Sequence, residues 1–120
     1  MRITNKVDID EAFTEIQELG DLWHREGIPG PNQDAIRDSS RVLEQLYADT
    51  GILPQRVTQS VEEGIYIDFV NGHRVILEMY NEGTAAIIVT DYKDIIDSVD
   101  VSSTDRVEKV CSLLQKMLKS

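Results

Sequence analysis

The chain has 120 residues, of which 41% are hydrophobic and 28% charged, and its 22 acidic and 12 basic side chains leave a formal net charge of −10. That composition suits one globular domain with its own core and excludes wholesale disorder. The N-terminal stretch MRITNKVDIDEAF lacks the continuous apolar segment of a secretory signal, and no run is long enough to span a bilayer, so a cytoplasmic protein is expected.

In chain order, Ile9, Phe13, Ile16 and Trp23 recur at helical spacing, which predicts a helix over about 9–25 with Asp8 or Asp10 as its cap and Gly20 weakening its last turn. Trp23 to Pro31 contains two glycines and two prolines and reads as an ordered loop. Asn32 is placed to cap a second helix, about 33–50, through Ala35, Ile36, Leu43 and Leu46 to a stop at Gly51, so the two helices form a hairpin. Pro54 fits the connection into the first strand.

From about 56 to 101, short apolar runs alternate with turn signals, the pattern of an antiparallel meander of four or five strands. Asn71-Gly72 suits a two-residue hairpin loop. That loop would set Val70 opposite His73, with Asp68 and Glu78 on opposite faces. Val75-Ile76-Leu77 and Ala85 to Val89 are apolar throughout, so both faces of the central strands are expected to be covered, one by helices and the other by a second subunit. A last helix, about 103–118, starts at Ser102 or Ser103 with Asp105 completing a capping box, and carries Val107, Val110, Cys111, Leu114 and Leu118 on one stripe, with Lys116 and Lys119 near its end. Cys111 on that stripe reads as a buried free thiol. The whole is a single α+β domain over 1–120.

Charge is unevenly placed. Between Val61 and Asp105 ten acids face two bases, Arg74 and Lys93, whereas the flanking helical parts are nearly neutral. A nucleic-acid backbone or an anionic membrane needs clustered Lys and Arg, so neither partner is expected; a basic protein would be attracted. No glycine-rich phosphate loop, HExxH or CxxC spacing, or nucleophile elbow occurs. No catalytic, cofactor-binding or metal-ligating residue is therefore assigned, and no cofactor is expected. The ladder Asp91, Asp94, Asp97 and Asp100 holds Ile95, Ile96 and Val99 where a calcium loop needs ligands, so it reads as a solvated acidic edge. Trp23, Arg25 and Glu26 are the other candidate contact residues, an aromatic with mixed charge on a loop.

Trp23, Gly27, Pro29, Pro31, Ala35 and Leu43, followed by Pro54, Val57, Gly64, Ile65, Ile67, Phe69 and two short apolar strands, resemble a diffuse group of small uncharacterised bacterial α+β proteins. Members of that group show a Trp-Asp-Gly turn, whereas here His24-Arg25-Glu26 separates Trp23 from Gly27. The resemblance implies the helix, meander and closing-helix fold and carries no activity. Three functions are expected to compete. The first is an acidic interaction module of antitoxin, immunity or inhibitor type binding a basic partner. The second is a small-molecule or metal-dependent enzyme using Asp68, Glu78 and His73, and the third is a homodimeric structural domain.

Overall fold

A computed structural model describes residues 2–91, 93–102 and 105–118, and of Asn71 the backbone alone. Two helices, α1 (Lys6–Glu26) and α2 (Gln33–Thr50), precede five strands, β1 (Arg56–Ser60), β2 (Gly64–Asn71), β3 (His73–Tyr80), β4 (Thr84–Thr90) and β5 (Ile95–Ser102), and α3 (Arg106–Leu118) closes the chain. The strands pair antiparallel in the order β1-β2-β3-β4-β5, so the α+β meander expected from the sequence is present with five strands.

Helix ends follow local chemistry. Asn5, not Asp8 or Asp10, caps α1: Asp8 N–H donates to Asn5 Oδ1 at 3.1 Å and Asn5 N–H donates back to Asp8 Oδ2 at 3.2 Å. Thr4 adds a hydroxyl bond and a backbone bond to the same carboxylate, both 2.7 Å, which hold the Asp8 carboxyl below its ordinary range. The helix continues through Gly20 and ends at Gly27, whose φ of 72° lets Ile28 N–H reach the Trp23 carbonyl at 2.8 Å. Trp23, Arg25 and Glu26 therefore stand on the last turn of α1 and not on a loop. Asn32 and Gly51 bound α2 as the sequence predicts, Ala35 N–H donating to Asn32 Oδ1 at 2.8 Å. Ser102 ends β5 instead of starting α3, and the alternative start Ser103, like Lys119, lies outside the described residues.

The strand register differs from the expected one. Asn71 pairs with His73 across Gly72, so Tyr66 faces Glu78, Ile67 faces Leu77 and Asp68 faces Ile76. A two-residue loop would have set Glu78 beside Ile67 and Phe69. The observed slip instead aligns Ile65, Ile67 and Phe69 with Met79, Leu77 and Val75, and burial of that shared apolar set outweighs the turn preference. All six are at most 2% exposed.

All three helices lie on this apolar face: α1 over β1, α2 over β2 and β3, and α3 over β4 and β5. One core joins them, with Ile9, Ile16, Val42, Leu46, Val110 and Leu114 meeting the strands. Among the described residues no helix packs on the other face, where Ile76 and Ile88 are half-buried. Nor is any helix of the described residues long and apolar enough to cross a membrane.

Candidate interaction surface

Strand alternation decides what the helix-free face carries. Tyr66, Asp68, Arg74, Ile76, Glu78, Ala86, Ile88 and Asp100 share it, since each side chain pairs across to the next on the same side. Two polar clusters result. Arg74 Nε and Nη2 donate to Asp68 Oδ1 and Oδ2 at 3.0 and 3.1 Å, a two-pronged fork, while Nη2 also reaches the Tyr66 hydroxyl at 2.8 Å. Two residue steps along the strands, Glu78 accepts from the Ser60 hydroxyl at 2.9 Å and from the Tyr80 hydroxyl at 2.7 Å. Burial and the adjoining Glu78 carboxylate push the Tyr80 hydroxyl pKa upward, so it stays a proton donor.

Asp68 and Glu78, expected on opposite faces, thus share one. His73 stands apart on the hairpin at the sheet end. The cavity containing Asp68 is lined by Arg2, Gln55, Arg56 and Arg74, with neither Glu78 nor His73 in its wall. Among the described residues, no group of three or more His, Cys, Asp or Glu side chains is placed to hold a metal ion.

The acidic ladder divides by position. Asp91 and Asp94 occupy the β4–β5 turn, where Asp91 Oδ1 accepts from the N–H groups of Asp94 at 2.9 Å and Lys93 at 3.1 Å. These bonds hold its carboxyl below the ordinary range, the one from Asp94 contributing most. Asp97 and Asp100, three apart on β5, project to opposite faces of the edge. Between them and the turn stand Ile95 and Ile96, 67% and 54% exposed, beside a register break between Val89 and Thr90. The outer edge is therefore an exposed apolar pair set among four carboxylates.

Trp23, Arg25 and Glu26 do not join that edge. A Cβ on Gly30 would lie 2.7 Å from Trp23 Cε3, so the indole rests on the backbone of the following loop. Asn81 ties this loop to the β3–β4 turn, its Nδ2 donating to the Gly30 carbonyl at 2.8 Å and its Oδ1 accepting from Asn32 N–H at 2.8 Å. In a meander that turn and the β4–β5 turn lie at opposite ends of the sheet. The candidate contact residues thus form two separate groups.

Sequence reasoning missed two arginine placements. Arg106, 3% exposed, donates to Asp38 Oδ2 at 2.9 Å and to the carbonyls of Tyr80 at 2.6 Å and Thr84 at 2.8 Å, clamping α3 to α2 and to the β3–β4 turn. Arg2 pairs as an isolated bridge with Arg56, so residues 2–3 partly cover the β1 edge and set two guanidinium groups beside Arg74. Compared with known protein families, curated proteins and solved structures, the chain shows no significant match to any of them.

Proposed function

We propose that this protein is an acidic interaction module of antitoxin, immunity or inhibitor type that receives a basic partner protein along β5. The observation that carries this reading is the outer edge itself, where exposed Ile95 and Ile96 lie among Asp91, Asp94, Asp97 and Asp100. Apolar area supplies affinity; surrounding carboxylates steer a cationic partner and reject an anionic one. Unpaired backbone groups of an edge strand add a template for an extended segment of that partner.

Self-association through the same edge is opposed by charge, because two copies would bring Asp97 and Asp100 of each against the other's carboxylates. The enzyme reading would need Asp68, Glu78 and His73 in one cavity, and both carboxylates are instead engaged by neighbours.

The test compares two immobilised proteins, the native chain and an Asp94→Lys/Asp97→Lys/Asp100→Lys variant, against a native lysate. Support is a basic protein that is held by the native chain at low salt, leaves at high salt, and is not held by the variant. Equal retention by both proteins, or none by either, would count against the reading.

A further inference from the structure

Three of the arginines meet at the same end of the sheet as the acidic turn, toward the opposite edge. The cavity there, about 320 Å³, is lined by Arg2, Gln55, Arg56, Asp68 and Arg74. Its walls carry three guanidinium groups and one carboxylate. Both oxygens of that carboxylate are already held by Arg74, so Arg56, although directly opposite Asp68 in the strand register, is left without a counter-ion from it. Among the described residues neither Arg2 nor Arg56 makes an ion pair, in a protein whose acids outnumber its bases by ten.

The corner is also pre-arranged. The Arg56 guanidinium sits 5.6 Å from the centre of the Tyr66 ring, and the Tyr66 hydroxyl is fixed in turn by Arg74. Arg2 is positioned through backbone pairing with Arg56 and by the adjoining Ile3 N–H, which donates to the Gln55 carbonyl at 2.9 Å. The Arg56 guanidinium, stacked and strand-anchored, loses little freedom when it binds, and the planar donors of both arginines match tetrahedral or planar oxyanions.

From this we infer a binding site for a phosphoryl dianion, presented as free phosphate or as a compact phosphate monoester. Two uncompensated positive charges match the charge of a phosphate monoester at neutral pH, about −1.5 to −2. Gln55 supplies a neutral side-chain amide in the same wall. The acidic β5 edge does not forbid such binding, because four strand spacings separate it from β1, which carries Arg56 and pairs with Arg2; Arg74, on β3, is nearer to it but already holds Asp68. The distance from β1 to β5 is about 19 Å, against a Debye length of about 8 Å at physiological ionic strength. The site is independent of the basic-partner reading and occupies the other edge of the sheet.

Titration of the whole chain with inorganic phosphate and, separately, with O-phosphoserine, followed through the arginine Nε–H resonances, tests it. Arg2 and Arg56 resonances are expected to shift saturably. The affinity should fall at least tenfold in Arg2→Gln and in Arg56→Gln, and stay unchanged in Arg41→Gln on α2. Equal affinity for the two probes marks free phosphate as sufficient, and tighter phosphoserine binding marks a monoester; both support the site. Overturning outcomes are shifts that do not saturate, or saturable shifts that survive in both Arg2→Gln and Arg56→Gln.

Discussion

Phe69 and Asp68 are neighbours in β2, yet they belong to regions that answer to different physics. The helix-covered face is assembled mostly from apolar side chains at most a few per cent exposed, so its stability scales with area and packing. On the helix-free face Asp68, Arg74, Tyr66, Ser60, Glu78 and Tyr80 are fixed by directional bonds, and no helix of the described residues covers them. A face held by hydrogen bonds among polar side chains, with Asp68 and Ser60 buried and their partners partly exposed, can change its outer residues, or its partner, with less cost to the fold than a packed one. That separation lets one five-stranded sheet be both scaffold and surface.

The largest expected effect follows directly. Phe69→Ala, which empties a fully buried position, should cost about 3–5 kcal/mol, whereas Ile88→Ala on the other face should cost about 1 kcal/mol because its side chain is only half-buried. Urea unfolding of both variants checks the contrast. Similar losses would mean that the second face is also packed in solution, as it would be in a homodimer, and a mass measurement would then decide between monomer and dimer.

Two arginines give the next test. Arg106 and Arg74 each hold an aspartate, but Arg106 lies inside the helix-covered region and serves three elements at once, while the Arg74 side chain is 32% exposed. Arg106→Ala should cost about 3–5 kcal/mol, since Asp38 Oδ2 and two turn carbonyls lose a buried donor and Asp38 keeps only the longer bond from Arg37, 3.3 Å. The Asp68 side chain is itself only 9% exposed, but removing the 32% exposed Arg74 side chain opens it to water, so Arg74→Ala should cost less, roughly 1–3 kcal/mol. Thermal unfolding ranks the two.

What the sequence disclosed divides along similar lines. Features set by neighbouring residues were legible: Asn32 and Gly51 bound α2, Pro54 precedes β1, and Cys111 falls on a buried helical stripe. Features set by pairing between distant segments were not. The loop preference of Asn71-Gly72 suggested one register, and only the fit of Val75, Leu77 and Met79 to the facing apolar set selects the other. The acidic count from Val61 to Asp105 likewise could not show that Arg2 and Arg56 enter the sheet from outside that segment and turn one corner basic. Arg106 carried no local signal either, as its partners lie 22 to 72 residues away.

A smaller effect belongs to the packed region's response to alkali. Burial raises the Cys111 thiol from its ordinary value of 9.0 to about 11. The folded state therefore keeps its proton where the unfolded chain has lost it. The associated stability is complete below about pH 9 and is lost as pH rises through 11. Cys111→Ala should flatten this part of the stability curve, and alkylation of the native protein at pH 8 should be slower than that of the urea-unfolded chain.

Asp91, at the exposed end of the sheet, should show the opposite sign and the least effect. Its carboxylate is favoured by the Asp94 and Lys93 N–H groups, so its folded pKa lies below the ordinary 3.8. Whatever stability it contributes is present above that value and disappears as pH falls through the folded pKa. The change should stay local: between pH 5 and 2 the Lys93 and Asp94 amide resonances should titrate with a midpoint below 3.8, in step with the Asp91 carboxyl carbon. Asp91→Asn retains an acceptor oxygen but no charge, so it should keep the turn and abolish that titration. If the core amides of β2 and β3 instead moved with the same midpoint in the native protein and not in Asp91→Asn, the outer turn would be coupled to the packed face, and the two regions could not be treated as separate.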